Sequence, residues 1–293
     1  MTMKVFPIIL ILTICFGGLT IHYLLPKLII DTKGSATKMN IVAPETNTGD
    51  RISFVTQDSI SIAGIFTRTT KAEKGTVILL HGIRGYKEHF KELSFMLADS
   101  GYNTLAIDLR AHHQSEGEYC TFGYNEKYDV QSAVDYLLTI EKVDSNIGIW
   151  GQSLGGAIAI QSLALEPGLK FGIVESTFSD FNTIVRDYAT NTLGFRIPLL
   201  NDYLIYRAGV IAGFEPEKIK PSLAAATITQ PVLIAHGTKD RRIKISYGKE
   251  IFDNLASTKK QFVPVENATH IDLWQVGAKK YFETVDIFLN SLK

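Results

Sequence analysis

The six residues Gly151-Gln152-Ser153-Leu154-Gly155-Gly156 form the most informative stretch of this sequence. They follow a short β-rich apolar run, residues 147–150, and they open a segment with helical periodicity, residues 154–165. A serine on a tight strand-to-helix turn needs glycine neighbours, because side chains there would clash with the backbone. Such a turn raises the serine hydroxyl above the sheet. The same letters also occur as a glycine-rich turn with a capping serine, but the flanking strand and helix favour a nucleophile at Ser153.

Short apolar runs alternate with helical segments along most of the chain. The runs are residues 76–80, 103–107, 147–150, 171–174, 232–235 and 261–265. Alternation of strand and helix implies parallel pairing, and runs that are apolar on both faces imply a sheet buried between two helix layers. Before the alternation, residues 52–55 and 60–68 predict an antiparallel hairpin, and residues 273–292 predict a closing helix. The predicted fold class is therefore α/β.

Changes in composition divide the chain into segments. Residues 31–50 contain many Gly, Ser, Thr and Asn residues and show little hydrophobic periodicity, which is typical of a linker. Residues 51–293 predict one catalytic domain. Within it, residues 178–229 break the alternation with aromatic residues, glycines and prolines among short helical pieces, which predicts an inserted cap.

The charge balance excludes one class of partner. The chain has 30 basic and 30 acidic residues, and 45% of its residues are hydrophobic, as in an ordinary globular protein. No basic stripe of the kind that neutralises a phosphate backbone is present. Nucleic acid is therefore not an expected partner, and the sequence does not indicate an oligomeric state.

The N-terminus contains an uncharged stretch of 21 residues, numbers 5–25, between Lys4 and Lys27. A helix of about 20 residues spans the roughly 30 Å of a bilayer core, whereas a signal-peptide core has about 7–15 residues. We therefore predict a single-pass membrane anchor in residues 1–30, on a side of the membrane that the flanking charges do not decide. Gly17 and Gly18 leave open a cleaved signal peptide, which would make the domain secreted or periplasmic.

A nucleophilic serine needs a base, and two histidines follow Ser153 in the chain. His236 ends the apolar run 232–235, where we expect a structural role that satisfies backbone groups. His270 lies in the loop after the run 261–265. We predict that His270 takes the proton of the serine.

The base needs an acid that fixes its tautomer and stabilises its cation. Asp240 lies on the loop after the run 232–235, so acid and base would occupy successive loops at one edge of the sheet. Glu175, which ends the run 171–174, is the alternative acid. The chain order of nucleophile, acid and histidine favours Asp240.

Two backbone N–H groups are expected to stabilise an oxyanion beside Ser153. Leu154 provides one, because it directly follows the serine at a helix start. The loop 81–85 follows the run 76–80 and precedes a helix, so Ile83 in this loop is the second predicted donor.

Two adjacent histidines, His112 and His113, raise the question of a metal. Neighbouring side chains on a helix or strand point apart, and we find no cysteine or carboxylate at metal-ligand spacing beside them. The sequence therefore predicts neither a metal nor another cofactor.

Five motifs in this order resemble the α/β-hydrolase superfamily, in its branch of serine-aminopeptidase-like and monoacylglycerol-lipase-like proteins. They are His81-Gly82-Ile83-Arg84-Gly85, Asp108-Leu109-Arg110, Gly151-Gln152-Ser153-Leu154-Gly155-Gly156, His236-Gly237-Thr238-Lys239-Asp240 and Ala268-Thr269-His270. The resemblance covers residues 51–293 and implies an eight-stranded, mostly parallel sheet, a Ser-His-Asp triad and no cofactor. Similar proteins commonly have glycines at alternate positions after the second motif, where this chain has Ala111, His112 and His113. We therefore expect a differently shaped loop there.

Together these features predict a serine hydrolase that cleaves carboxylic esters through an acyl-enzyme, with a small-molecule ester or a lipid-like molecule as substrate. One alternative is a serine peptidase or amidase of the same fold. The other is a membrane-tethered binding protein without catalytic turnover.

Overall fold

A computed structural model describes residues 16–33 and 49–292 of the chain. The strands are β1 (Asp50–Val55), β2 (Ser61–Thr67), β3 (Gly75–Leu80), β4 (Tyr102–Ile107), β5 (Ile147–Gln152), β6 (Leu169–Glu175), β7 (Val232–Gly237) and β8 (Lys260–Val265). The helices are α1 (residues 16–30), α2 (Lys91–Asp99), α3 (Glu126–Tyr136), α4 (Leu154–Leu165), α5 (Phe181–Leu193), α6 (Pro198–Ala212), α7 (Pro221–Ala225), α8 (Ile245–Asn254) and α9 (Leu273–Asn290).

All eight strands belong to one sheet, in the order β1-β2-β4-β3-β5-β6-β7-β8. The pairs β1–β2 and β2–β4 are antiparallel, and the other pairs are parallel. The predicted hairpin at the start of the domain and the predicted eight-stranded, mostly parallel sheet are therefore confirmed.

Helices cover both faces of the sheet and create two hydrophobic cores. In β3, Ile78 and Leu80 pack in one core, while Val77 and Leu79 pack in the other. All six residues of this strand are buried. Because side chains alternate between the two faces of a strand, only a doubly covered strand needs apolar residues at every position.

The carboxyl ends of the parallel strands meet at one edge of the sheet. Ser153 directly follows β5, the loop 81–85 follows β3, and Asp240 lies three residues beyond β7. His270 lies in the loop between β8 and α9. Parallel pairing therefore brings together loops that are up to about two hundred residues apart in the chain.

The predicted cap region contains two substantial helices, α5 and α6, between β6 and β7. The side chain of Asp180 caps α5 by accepting a hydrogen bond from the N–H of Thr183 at 2.7 Å. Each helix ends at a glycine in the left-handed conformation, Gly194 with φ +79° and Gly213 with φ +70°. These two glycines therefore terminate the helices of the predicted cap.

The helix α1 includes a π-helical turn, Thr20–Leu24, and ends in the α-helical turn Leu25–Ile30. Within the described residues, 16–33 and 49–292, no helix is both long enough and apolar enough to span a membrane. Part of the predicted spanning segment, residues 5–15, lies outside the described residues. The membrane anchor therefore stays a prediction.

Candidate active site

Ser153 occupies a strained turn between β5 and α4. Its φ is +53° and its ψ is −114°, which are values that a residue with a side chain rarely adopts. The neighbouring glycines are needed for space. A Cβ on Gly155 would lie 2.1 Å from the carbonyl oxygen of Leu80, and a Cβ on Gly151 would lie 2.1 Å from that of Gly155. The glycine pattern is thus explained by the close approach of β3, β5 and α4.

The structure brings Ser153, His270 and Asp240 into contact. The Nε2 atom of His270 lies 3.0 Å from the Oγ of Ser153, and its Nδ1 lies 2.7 Å from the Oδ2 of Asp240. Both distances are hydrogen-bond distances. The arrangement matches the geometry that the three predicted roles require: the base contacts the nucleophile, and the acid contacts the far side of the base.

The carboxylate of Asp240 is fixed by its own loop. Its Oδ1 accepts hydrogen bonds from the N–H groups of Arg242 and Ile243, both at 2.9 Å, which leaves Oδ2 for His270. Burial alone would raise the pKa of Asp240, but hydrogen bonds from His236, His270 and the Ile243 N–H hold this pKa well below its usual range. Asp240 is therefore an anion at neutral pH.

His236 lies at the end of β7, as the sequence indicates. Its Nε2 donates to the carbonyl oxygen of Ile243 at 2.8 Å, and its side chain is fully buried. The same Nε2 is 3.5 Å from the Oδ2 of Asp240. His236 thus supports the loop that carries the acid, and His270 is the histidine that contacts Ser153.

Glu175, the alternative acid, is bound by other partners. Its carboxylate accepts hydrogen bonds from Trp274 Nε1 at 2.8 and 3.0 Å, from Gln152 Nε2 at 2.7 Å and from the hydroxyl of Tyr281. The nearest partner of His270 Nδ1 is Asp240 instead. The network around Glu175 was not predicted from the sequence.

The loop 81–85 lies directly beside the serine. A Cβ on Gly82 would lie 3.3 Å from the Cβ of Ser153, so glycine allows the backbone to approach closely. Ile83, the next residue of this loop, lines the same pocket as Ser153, and Leu154 directly follows the serine. Their role as an oxyanion hole stays a prediction.

His81 holds this loop in shape through both ring nitrogens. The N–H of Leu109 donates to Nε2 at 3.0 Å, so the ring proton is on Nδ1, which donates to the carbonyl oxygen of Gly82 at 2.7 Å. Since the Gly82 carbonyl and the Ile83 N–H belong to one peptide plane, the ring also fixes the direction of that N–H. Burial, followed by the nearby His112, lowers the pKa of His81 to about 3.

The depressed pKa of His81 predicts a loss of stability in mild acid. Below pH ~6.5 the unfolded chain binds a proton at this residue, whereas the folded chain does not until about pH 3. The stabilisation from a neutral His81 is therefore complete above pH ~6.5. It falls as the pH decreases, by about 1.4 kcal/mol per pH unit at most. We expect His81→Gln to remove roughly 1–2 kcal/mol of the decline in unfolding free energy between about pH 7 and pH 5. Urea unfolding at several pH values measures this decline. Equal declines in both proteins would contradict the prediction.

A pocket of about 300 Å³ opens at Ser153. The loop 81–85 and Trp274 form one part of its wall, and Tyr188 of the cap helix α5 and Arg242 form another. The volume suits a small ligand or one chain of a larger ligand. A substrate carbonyl in this pocket would lie between the serine and the predicted N–H donors.

Comparison with known proteins shows which superfamily the chain resembles. The sequence of residues 71–195 matches the family described as serine aminopeptidase, S33. An AB hydrolase superfamily protein of Bacillus subtilis is 25% identical over 235 residues, which cover 66% of this chain and 84% of the relative. The chain has the α/β-hydrolase fold and is similar in sequence to members of that superfamily. The predicted resemblance is thereby confirmed.

Solved structures show that this chain has the α/β-hydrolase fold. An esterase of Pyrococcus furiosus superposes with a TM-score of 0.69 at 22% identity and covers 83% of this chain and 90% of its own. Est1E of Butyrivibrio proteoclasticus, solved with ferulic acid bound, has a TM-score of 0.62 at 20% identity, with coverages of 80% and 99%. The relatives and neighbours support hydrolase activity. They leave the ester substrate and the serine mechanism as predictions.

The loop after β4 lacks the alternate glycines that are common in similar proteins. Its backbone is nevertheless left-handed at two positions that are two residues apart. Ala111 has φ +60° and His113 has φ +42°. Such angles cost roughly 1–2 kcal/mol per residue without glycine. A hydrogen bond from the Ala111 N–H to the carbonyl of Glu116, at 2.8 Å, helps to hold this loop.

The same loop corrects the expectation that no carboxylate accompanies the paired histidines. Ligand atoms of Glu88, Asp108 and His113 lie within 4.8 Å of one another, a spacing at which a metal ion is possible. A cation is already present, because the buried ammonium of Lys87 lies 2.6 Å from Asp108 Oδ2 and 3.5 Å from Glu88 Oε1. This ion pair supplies the charge that a metal would otherwise bring.

Proposed function

We propose that this α/β-hydrolase is a serine hydrolase that cleaves carboxylic esters through an acyl-enzyme. The observation that carries the proposal is the chain of contacts at the pocket, 3.0 Å from Ser153 Oγ to His270 Nε2 and 2.7 Å from His270 Nδ1 to Asp240 Oδ2. Esterases among the solved structures with the same fold give further support.

The proposed reaction has two halves. In the first, Ser153 Oγ attacks the ester carbonyl while His270 Nε2 takes the hydroxyl proton, and the resulting oxyanion accepts hydrogen bonds from the Ile83 and Leu154 N–H groups. Collapse of this intermediate breaks the ester bond, and His270 returns the proton to the leaving alkoxide. In the second half, water attacks the acyl-serine while His270 takes its proton, and the bond between the acyl carbon and Ser153 Oγ then breaks as His270 returns the proton to Oγ and the carboxylic acid leaves. Asp240 stabilises the imidazolium in both halves.

The pocket favours an ester over a peptide with a free amino terminus. Glu175 is the acidic side chain among the described residues that line the pocket, and a carboxylate is the usual partner of a substrate ammonium. Its oxygens already accept hydrogen bonds from Trp274, Tyr281 and Gln152. The carboxylate therefore has little capacity left for a substrate.

The strained conformation of Ser153 argues against the alternative of a binding protein without turnover. A residue with φ +53° costs of the order of 1–3 kcal/mol, and such strain usually occurs at sites where it serves the chemistry. A binding pocket has no need of an activated hydroxyl.

Labelling with a fluorophosphonate tests the proposal directly. This probe forms a covalent bond with a serine that a neighbouring base activates, so we expect stoichiometric labelling of the folded chain. Ser153→Ala should abolish the label. Ser176→Ala is the matched control, because Ser176 also lines the pocket and also has a positive φ, +47°. A folded protein that does not react, or a label that survives Ser153→Ala, would overturn the proposal.

Two substrate series then separate ester from amide. We expect hydrolysis of p-nitrophenyl esters, with the preferred acyl length reporting the depth of the pocket, and no comparable hydrolysis of amino-acid p-nitroanilides. Turnover of the anilides alone would favour the peptidase alternative.

A further inference from the structure

The helix α1 is packed against the cap helix α6 through polar contacts. His22 Nδ1 lies 2.6 Å from the hydroxyl of Tyr203, and Arg207 Nε donates to the carbonyl oxygen of His22 at 3.3 Å. The guanidinium of Arg207 also lies 5.8 Å from the ring centre of Tyr23. The position of α1 is thus specified by side chains of the cap.

The C-terminal ends of both helices reach the same part of the core. Ile30, at the end of α1, is fully buried, and its carbonyl oxygen accepts a hydrogen bond from the N–H of Cys120 at 3.0 Å. Just beyond α6, the ring of Phe214 lies 6.4 Å from that of Phe122. The two helices therefore run side by side in roughly the same direction.

The helix α6 exposes a regular apolar stripe. Its members are Leu199, Tyr203, Tyr206 and Val210, with 87%, 38%, 61% and 52% of their surfaces exposed. Their spacing of four, three and four residues places them on one side of the helix. Such a stripe normally faces a protein core, and here it faces outward.

The helix α1 exposes apolar residues beside the same contact. The four most exposed are Phe16, Leu19, Leu24 and Leu28, with exposures of 70%, 57%, 55% and 69%. We call these four residues and the four of the α6 stripe the cap face. Large contiguous apolar surfaces on soluble proteins usually mark sites of interaction with another molecule or a membrane.

We propose that the cap face lies on the surface of a lipid bilayer. The uncharged stretch that contains most of α1 begins eleven residues before Phe16, at Val5, so the chain that leads into the cap face is itself apolar. Residues 16–30 contain no Asp or Glu. The guanidinium of Arg207, the residue after Tyr206 of the stripe, lies against Tyr23 of α1 and provides a cation beside the face, as is typical of helices that lie on anionic lipid.

The aromatic residues of the face also favour lipid over a second copy of the chain. Tyr203 and Tyr206 combine an exposed ring with a polar hydroxyl, which suits the boundary between lipid headgroups and acyl chains.

This orientation, taken with the proposed function, indicates the class of substrate. The cap helix α5 packs on α6 and carries Tyr188, which lines the pocket at Ser153. The two cap helices therefore carry both the proposed bilayer contact and part of the pocket wall. We expect esters of amphiphiles that partition into a bilayer as substrates.

Lipid-depth quenching of site-specific fluorophores tests the orientation without any enzyme assay. Cys120 is buried, so full-length protein with Cys15→Ser can be labelled with nitrobenzoxadiazole at Leu199→Cys or Val210→Cys. The matched controls are Ile140→Cys and Ile287→Cys, which lie on other helical segments and are 64% and 69% exposed in the unsubstituted chain. The protein is mixed with vesicles of phosphatidylcholine and phosphatidylglycerol, with and without a nitroxide on the lipid acyl chain.

We expect the nitroxide to quench the fluorophores at 199 and 210 at least severalfold more than those at 140 and 287. Equal quenching at all four positions, or none at 199 and 210 in protein that floats with the vesicles, would overturn the proposal. A spectral shift at 199 and 210 that depends on protein concentration and is insensitive to nitroxide lipids would identify a second copy as the occupant and would also overturn it.

An activity measurement then tests the substrate class. The variant Leu199→Asp with Val210→Asp should lower hydrolysis of a vesicle-borne ester by about tenfold or more and leave hydrolysis of a soluble short-chain ester unchanged. The pair Ile140→Asp and Ile287→Asp should change neither. A cap-face variant that keeps the unsubstituted protein's rate on the vesicle-borne ester, or that loses both activities by the same factor, would refute a bilayer substrate. Inactivity of the unsubstituted protein on every ester would refute the proposed function and leave the quenching result intact.

Discussion

Replacing Asp240 with asparagine is expected to lower kcat by about 10³- to 10⁴-fold with little change in KM. The reason lies in the two N–H groups, of Arg242 and Ile243, that donate to Oδ1 at 2.9 Å. They require an acceptor, so the amide oxygen of asparagine must take the position of Oδ1. Its NH₂ group must then face His270.

This orientation reverses the tautomer of the base. An NH₂ group that donates to Nδ1 of His270 makes Nδ1 the acceptor and places the ring proton on Nε2. The proton would then point at Ser153 Oγ, 3.0 Å away, and His270 could not remove the serine proton. The chain should stay folded, because asparagine preserves the acceptor for both backbone N–H groups.

The measurement is steady-state hydrolysis of a p-nitrophenyl ester, with a thermal melt to confirm folding. Asp272→Asn is a matched control: Asp272 accepts from the N–H of Thr269 at 2.6 Å, next to His270, and asparagine retains that acceptor. We expect less than about a fivefold change for this control. A kcat loss under tenfold for Asp240→Asn would show that Asp240 is not the orienting acid.

The sequence was sufficient to predict the contacts among Ser153, His270 and Asp240, because each residue follows a strand whose apolar run is evident. Parallel strands with connecting helices place their carboxyl ends at one edge of the sheet, so the loops must meet there. The glycines around Ser153 added a steric constraint that periodicity alone does not contain. Sequence patterns therefore predicted the site once parallel pairing of the strands was inferred.

Other features depend on contacts that no local rule predicts. The Glu175–Tyr281 hydrogen bond joins residues 106 positions apart, and Lys87 pairs with Asp108 inside the domain. A buried charge needs a partner, but the sequence does not say which residue provides it. The backbone at Ala111 and His113 shows a similar limit, because left-handed conformations without glycine depend on the surrounding structure.

Replacing Glu175 with leucine is expected to lower the free energy of unfolding by roughly 3–5 kcal/mol and to reduce activity. Three donors would lose their acceptor, namely the buried hydroxyl of Tyr281 and the half-buried Trp274 Nε1 and Gln152 Nε2, and an unsatisfied buried group costs about 1–3 kcal/mol. Burial raises the pKa of Glu175 while these hydrogen bonds lower it, so the carboxylate depends on them.

The loss of activity should exceed what reduced stability explains, because the hydrogen bonds of Glu175 hold residues next to both Ser153 and His270. Gln152 directly precedes Ser153, and Trp274 lies in the first turn of α9, four residues after His270. Glu166→Leu is the matched control: Glu166 also accepts two hydrogen bonds, from Gln131 Nε2 and the Gly168 N–H, at the opposite end of α4 from Ser153. Urea unfolding should show destabilisation in both variants. The kcat per folded molecule should fall by about tenfold or more only in Glu175→Leu. Equal kcat values in the two variants would mean that Glu175 stabilises the fold without positioning Ser153 or His270.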